Sequence, residues 1–137
     1  MRRRGSSMVE FALAAPVLLL LLSGVLNYAL ALRAALDVSD AARAGAHYGS
    51  MTAGNSSDIA GMQAAARNAV PNLADMTATA SRSCTCDGAS ASCGSGCSGF
   101  LSVYVSVTAG TTVSNWFSYS GLPFTGAVSS TAVMRAR

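Results

Sequence analysis

The feature that most constrains this chain is an uncharged apolar segment of 22 residues near its N-terminus, residues 11–32 (FALAAPVLLLLLSGVLNYALAL). About 20 such residues cross the hydrocarbon core of a bilayer as an α-helix. Charged residues make up only 11% of the 137 residues, whereas a soluble domain has about 25%. We therefore predict a single-pass transmembrane helix followed by one small domain.

The charges that flank this segment predict its orientation. Arg2, Arg3 and Arg4 precede it, whereas Arg33 and Asp37 follow it. The positive-inside rule then places the N-terminus in the cytoplasm and the rest of the chain on the other side of the membrane. The other six basic residues balance the six acidic ones, so the body of the chain has no basic patch and we expect no nucleic-acid partner.

A cleaved secretory signal peptide is the competing interpretation, because a basic region comes first. The apolar part of such a peptide has about 7–15 residues, which is shorter than the segment here. The helical pattern also continues beyond the segment. An A-x-A step at residues 29–31 could still be a cleavage site, which leaves a secreted protein as an open alternative.

The helix is expected to continue to about His47 or Tyr48 as a stalk. Weakly apolar residues recur at spacings of three and four, which predicts one buried stripe made of Leu32, Ala35, Leu36, Ser39, Ala42 and Ala46. About 40 helical residues would extend about 60 Å. Pro16 is expected to kink this helix or loosen one of its turns.

The rest of the chain predicts a small α+β head. Residues 49–57 are expected to be a loop, and a short helix then begins at a cap formed by Ser57 or Asp58 and ends at Pro71. Residues 100–108 (FLSVYVSVT) alternate between apolar and polar side chains, which is typical of a half-buried strand. Residues 78–86 and 128–135 are expected to be further strands.

The predicted fold class is therefore α+β: a long N-terminal transmembrane and stalk helix, a short helix, and a small antiparallel sheet whose apolar face packs on the outer half of the long helix. The boundaries that follow are residues 6–32 for the transmembrane helix, 33–49 for its extracytoplasmic continuation and 50–137 for the head.

All four cysteines lie in one Gly- and Ser-rich stretch, residues 84–97 (CTCDGASASCGSGC). The predicted topology places it outside the cytoplasm, where disulfides persist. Four cysteines allow three pairings, and we favour a cross-loop pattern that joins Cys84 or Cys86 to Cys93 or Cys97. The alternatives are free thiols and a zinc site, whose usual C-x₂₋₄-C pairs fit Cys93 and Cys97 but not Cys84 and Cys86.

Catalytic chemistry finds little support in the sequence. The single histidine, His47, is near the predicted end of the stalk helix, where interaction with helix-end carbonyls is more common than metal binding. Asp58, Asp75 and Asp87 are scattered along the chain and do not form the matched pair that general acid–base catalysis needs. We expect no enzymatic activity, no cofactor, no metal ion and no small-molecule substrate.

The first residues resemble those of type IV pilins, in which a short basic leader ends at Gly and the mature chain has Glu at position five. Here Gly5 precedes SSMVEF, so a cut after Gly5 would make Glu10 the fifth residue. The five-residue leader, residues 1–5, and the aromatic Phe11 are similar to the Flp/Tad branch. Residues 6–50 resemble the N-terminal signature of TadE-like pseudopilins, and residues 122–137 are similar to their C-terminal strand with its A-x-M-R ending.

This resemblance implies that a prepilin peptidase cuts between Gly5 and Ser6. It also implies that Glu10 pairs with the N-terminal amine of a neighbouring pilin, whereas the simpler interpretation is a carboxylate stabilised by the helix N-terminus. The implied protein is a minor pilin or pseudopilin of the bacterial inner membrane that takes part in assembly or priming of a Tad/Flp pilus.

Its implied partners are other pilins, Tad inner-membrane assembly proteins and membrane lipid. Two alternatives stay open: an uncleaved single-pass structural component of the Tad secretion machinery, and a secreted adhesin-like binding module.

Overall fold

The computed structural model describes residues 6–94, 96–113 and 126–136. In this part of the chain, three helices precede four strands. The helices are α1 (Ser6–Met51), α2 (Ala53–Ser57) and α3 (Ile59–Ala69), and the strands are β1 (Thr77–Cys86), β2 (Ala89–Ala91), β3 (Leu101–Val113) and β4 (Gly126–Arg135). The α+β prediction is confirmed.

Helix α1 has 46 residues, which makes it about 70 Å long. It remains helical through Pro16 and ends at Met51, a few residues later than the sequence indicates. The prediction of a loop over residues 49–57 is wrong, because the end of α1 and all of α2 fall within it. Thr52 separates the two helices and caps α2, since its Oγ1 accepts a hydrogen bond from the backbone N–H of Asn55 at 3.1 Å.

Helix α3 is short, as predicted, and it buries one side. Asp58 caps it by accepting a hydrogen bond from the backbone N–H of Gly61 at 2.8 Å. Met62 and Ala66, which are one turn apart, are fully buried. Pro71 lies just beyond the last helical residues, where its missing N–H and fixed φ are tolerated.

The four strands form one antiparallel sheet in the order β2-β1-β3-β4. Strand β3 is its centre and pairs with β1 along ten residues and with β4 along ten residues, in a continuous register on both sides. The three strands expected from the sequence are confirmed. The fourth, β2, has only three residues and pairs with the end of β1.

Strand β4 is an edge of this sheet among the described residues. The N–H of Ala136 donates to the carbonyl of Val103 at 2.8 Å, in register with the β3–β4 ladder. Because hydrogen-bonded pairs alternate in an antiparallel ladder, the even-numbered residues of β4, such as Ser130, direct their backbone N–H groups toward β3. Those of the odd-numbered residues, such as Ser129, face the open edge.

One face of the sheet packs on the outer part of α1 and on α3, as the alternation of β3 predicts. Val105 and Val107 are fully buried against Ala46 and Met62. Nearer the apolar half of α1, Ala109 packs on Val38 in a second cluster. Helix α1 therefore runs antiparallel to β3, and in the same sense as β1 and β4.

The buried stripe of α1 differs from the one predicted. Ala42 and Ala46 are buried, but Leu36 is 66% exposed and Leu32 is 47% exposed. The residues that face the sheet and α3 are smaller: Val38, Ala41, Ala42, Gly45, Ala46 and Gly49. The prediction was based on hydrophobicity and therefore included the larger side chains, whereas the close approach of α1 to its neighbours requires small ones.

Candidate functional site

The N-terminal half of α1 carries an apolar surface that no other described part of the chain covers. Its large apolar side chains between Met8 and Val25 are 58–79% exposed. Leaving this much contiguous apolar surface in water would be strongly unfavourable. The helix is long and apolar enough to cross a membrane, and lipid would satisfy its surface because all its backbone groups can pair within the helix.

Glu10 is the acidic residue on this apolar surface. Its side chain is exposed and has no hydrogen bond or ion pair with another described residue. Helix α1 begins at Ser6 and has no acidic residue in its first turn, so Glu10 lies in the second turn. The favourable effect of a helix N-terminus falls off within the first turn, which weakens the simpler interpretation of this carboxylate. Gly5 lies outside the described residues.

The outer half of α1 approaches α3 through two glycines spaced by four residues. A Cβ atom on Gly45 would lie 2.8 Å from the carbonyl oxygen of Met62 and 3.0 Å from Cγ1 of Val107. A Cβ atom on Gly49 would clash with the thioether of Met62. The absence of both Cβ atoms lets Met62 enter the core between α1 and the sheet.

A polar junction holds the helices together at the end of α1. Tyr48 donates a hydrogen bond from Oη to Oδ2 of Asp58 at 3.1 Å, while Oδ1 of the same carboxylate caps α3. Asn55 of α2 donates from Nδ2 to the carbonyl oxygen of Tyr48 at 3.1 Å. The hydrogen bond to the Asp58 carboxylate and its negative charge raise the pKa of Tyr48 above its ordinary value of 10.0.

The cysteines form two disulfides at the other end of β1. Cys84 is joined to Cys93 and Cys86 to Cys97, with Cα–Cα distances of 5.1 and 5.8 Å, which lie in the usual range. The two bridges interleave, since each one closes around a cysteine of the other. They tie the segment after β2 to the last three residues of β1, which is one of the cross-loop pairings.

The turn between β1 and β2 fixes the start of this disulfide-linked segment. Asp87 and Gly88 both have positive φ, at 50° and 86°, which is the conformation that a two-residue hairpin turn needs. The Asp87 carboxylate also accepts a hydrogen bond from the N–H of Phe100 at 2.9 Å, and the Asp87 N–H donates to the carbonyl of Phe100 at 3.1 Å. The segment is thereby closed at both ends.

An exposed ring marks the far end of the sheet. The guanidinium carbon of Arg135 lies 4.9 Å from the centre of the Phe100 ring, which is 63% exposed. This is a cation–π geometry. Because Val105 is closer than Ala109 to the end of α1, this end of the sheet, with the disulfides, is the one farthest from the apolar half of α1.

Catalytic or metal-binding groups do not converge anywhere in the described ranges. No group of three or more His, Cys, Asp and Glu side chains there could hold a metal ion. His47 is exposed on α1, four residues before its end. Asp58 and Asp87 are used in the two hydrogen-bonded junctions above.

Sequence reasoning missed the structural roles of Gly45 with Gly49, of Asp58 toward Tyr48, and of Asp87. Two of these had a signal in the sequence. The G-x-x-x-G spacing typically allows close helix approach, and Asp-Gly is typical of a tight hairpin turn. The contact between Tyr48 and Asp58 had none, because it depends on how α2 reverses the chain.

Comparison with protein-family models gives a match in the N-terminal part of the chain. The family model described as TadE-like protein matches residues 5–47, a range that nearly coincides with α1. Neither a curated protein nor a solved structure matches the chain. The N-terminal third of this chain, from Gly5 to His47, is therefore a TadE-like segment.

Proposed function

We propose that this chain is a TadE-like minor pilin or pseudopilin that takes part in the assembly or priming of a Tad/Flp type IVc pilus, and through it in adhesion and surface attachment. The observation that carries the proposal is the extent of the TadE-like segment. It covers both the exposed apolar surface of α1 and the glycine at position 45, where the helix enters the core of the head. The segment thus joins a lipid-compatible surface to a folded head in one rigid element.

The proposed location is the bacterial inner membrane. Residues 1–5 would be the basic leader in the cytoplasm, residues 6–32 the membrane span, residues 33–49 its extracytoplasmic continuation and residues 50–137 the head. The exposed apolar surface of α1 supports the span, and the arginines before it support the orientation. The two disulfides support an extracytoplasmic head.

The proposed processing and assembly steps involve three residues. A prepilin peptidase would cut between Gly5 and Ser6, and the new N-terminal amine of one subunit would pair with Glu10 of a neighbour. The unpaired, exposed carboxylate of Glu10 supports this role, since no described residue competes for it. Removing one partner of a buried ion pair costs about 3–5 kcal/mol, so such a pair would fix the register between subunits.

The proposed partners are therefore other pilins, Tad inner-membrane assembly proteins, the prepilin peptidase and membrane lipid. The exposed Phe100 and Arg135, with the disulfide-linked segment, would be the part of the head that is farthest from the membrane. We propose no enzymatic activity and no cofactor.

The first test is the N-terminus of the protein extracted from membranes, measured by intact mass. We expect a chain that begins at Ser6. Gly5→Ala should leave the leader attached, and Met8→Leu, a change three residues from the cut, should not. A wild-type mass that includes residues 1–5 would instead support the uncleaved component of the secretion machinery. An N-terminus near residues 27–33 would support the secreted adhesin-like module.

The second test separates the charge of Glu10 from its size. Glu10→Gln keeps the shape of the side chain but removes the charge, and Glu10→Ala removes both. We expect both variants to be inserted and cleaved but to lose pilus assembly, measured by filament counts and by recovery of the chain with sheared pili. Wild-type piliation in Glu10→Gln would contradict the proposed ion pair, and in both variants it would remove the assembly role.

A further inference from the structure

Asn27 is a polar residue within the apolar segment to which the proposed function gives no role. Residues 11–32 have their midpoint between residues 21 and 22, so Asn27 lies about 8 Å from the centre at 1.5 Å per residue. The hydrocarbon core extends about 15 Å to each side of its centre. If α1 spans the bilayer, the amide of Asn27 is therefore well inside the core, below the reach of bulk water.

The hydrogen-bonding groups of this part of α1 are not all satisfied by the residues that the structure describes. Ser23, one turn earlier, donates from Oγ to the carbonyl of Leu20 at 2.8 Å. The Oδ1 atom of Asn27 is buried and has no hydrogen-bond partner in the described structure. A polar group in hydrocarbon that lacks a partner is unfavourable, and such residues in membrane helices usually face another helix.

The surroundings of Asn27 on the helix allow a second helix to come close. Ser23 and Ala31 lie one turn before and one turn after it, and both are small. A Cβ atom on Gly24 would have no neighbour within 4 Å. Small residues around a polar one let two helix backbones approach and let the polar group hydrogen-bond across the contact.

We propose that Asn27 is an interhelical hydrogen-bonding site, and that its partner is Asn27 of a second copy of this chain. The carboxamide is self-complementary, because its Nδ2–H donors carry positive and its Oδ1 acceptor negative partial charge. A second copy inserted in the same orientation places its own Asn27 at the same depth. Rotation of each carboxamide about its terminal torsion brings Oδ1, which is buried against its own chain, to the helix surface. Two parallel helices related by a two-fold axis then satisfy both amides at once. This inference rests on the membrane span of the proposed function, but not on cleavage or on Glu10.

The test uses the full-length chain in phosphatidylcholine vesicles. Energy transfer between donor- and acceptor-labelled copies, measured over a series of protein-to-lipid ratios, gives the dissociation constant of the pair. Interhelical hydrogen bonds in membranes contribute about 0.6–1.7 kcal/mol, which corresponds to about a 3- to 18-fold change. We expect Asn27→Leu to raise the dissociation constant by this factor and Asn27→Gln, which keeps the amide, to retain most of the association.

The matched control is Tyr28→Phe, which removes a polar group from the next residue, about 100° around the helix. It should leave the dissociation constant unchanged. A wild-type chain that stays monomeric at all ratios, or an Asn27→Leu variant that associates as tightly as the wild type, would overturn the proposal. Association of the wild type only in the presence of other membrane proteins would also overturn the choice of a second copy as partner.

Membrane integration is measured on the same vesicles by extraction with alkaline carbonate. Release of the chain would contradict the span itself and, with it, both the proposed function and this inference. Integration without association that depends on Asn27 would contradict this inference alone.

Discussion

Replacing Gly45 by Ala tests how closely α1 packs against α3 and the sheet. The added methyl group would lie 2.8 Å from a backbone oxygen of Met62, 3.0 Å from Cγ1 of Val107 and 3.1 Å from Cβ of Ala66. Since carbon atoms at optimal contact are about 3.5–4.0 Å apart, all three neighbours would have to move. The first is backbone within a helix, and the other two belong to fully buried residues, so the space cannot open cheaply.

The expected magnitude is the difference between two opposing effects. Overpacking a well-packed core costs about 1–3 kcal/mol, and the backbone contact places Gly45 toward the upper end. Ala is favoured over Gly within a helix by about 1 kcal/mol. The net expectation is a loss of about 1–2 kcal/mol of unfolding free energy. For a head of this size, that corresponds to a decrease of about 4–16 °C in Tm.

Two further glycines make this prediction specific. At Gly54 in α2, a Cβ atom would meet only Oγ1 of Thr52, at 3.8 Å, so Gly54→Ala should be neutral or raise Tm by a few degrees. At Gly49 a Cβ atom would clash with the thioether of Met62 and lie 3.3 Å from Cγ1 of Val105, and both side chains are fully buried, so Gly49→Ala should also lower Tm. Calorimetry on the full-length chain in detergent measures all three. A Gly45→Ala variant as stable as Gly54→Ala would refute the close-packing argument.

Three other predictions address the junction at Asp58, the sheet edge and the disulfides. The raised pKa of Tyr48 means that its hydrogen bond stabilises the fold fully below the ordinary pKa of about 10, and that this stabilisation is lost as pH rises through the higher pKa of the folded state. NMR titration of the Tyr48 ring should show a lower pKa in the Asp58→Asn variant, and an unchanged pKa would contradict the assigned cause. Ser130→Pro removes an N–H that faces β3, whereas Ser129→Pro removes one at the open edge. Urea unfolding should therefore show a loss of unfolding free energy that is about 1–3 kcal/mol larger for Ser130→Pro, and equal losses would contradict the assignment of which N–H groups of β4 pair with β3. Each disulfide closes a segment of about ten residues, so replacing both cysteines of one bridge by Ser should lower the unfolding free energy by about 2–3 kcal/mol. An unchanged urea midpoint would contradict a stabilising role of that bridge.

The elements that could be predicted from the sequence are those whose pattern is local and repeated. Three patterns depend only on neighbouring residues, and each is confirmed as helix or strand. They are the uncharged segment at residues 11–32, the apolar–polar alternation after Phe100, and the stretch of α3 between its N-terminal cap and Pro71. The cysteine stretch predicted a cross-loop pairing, but Cys84 and Cys86 lie on the same face of β1, so the choice of Cys84 with Cys93 depends on the path of the segment after β2.

The rest depends on how elements approach one another. Leu36 is the more hydrophobic residue, yet it is exposed while Gly45 is buried, because the face of α1 that packs on α3 and the sheet is the one whose small residues allow a close approach. Helix α2 was missed because its five residues, AGNSS, have weak helix propensity. Its cap at Thr52 and the hydrogen bond from Asn55 to Tyr48 hold it in place, and only the folded chain brings these groups together.

The direction of β4 relative to α1 has a consequence for how copies of this chain can aggregate. Among the described residues β4 has an open edge ten residues long, with Arg135 as its one charge, and this strand lacks the lysines and prolines that usually protect such an edge. Since β4 and α1 run in the same sense, antiparallel pairing of two β4 edges requires the two α1 helices to point in opposite directions. If α1 spans a membrane as proposed, two chains inserted in the same orientation cannot satisfy that geometry. The proposed span would thus prevent antiparallel pairing of these edges, and a head released by proteolysis would lose this protection.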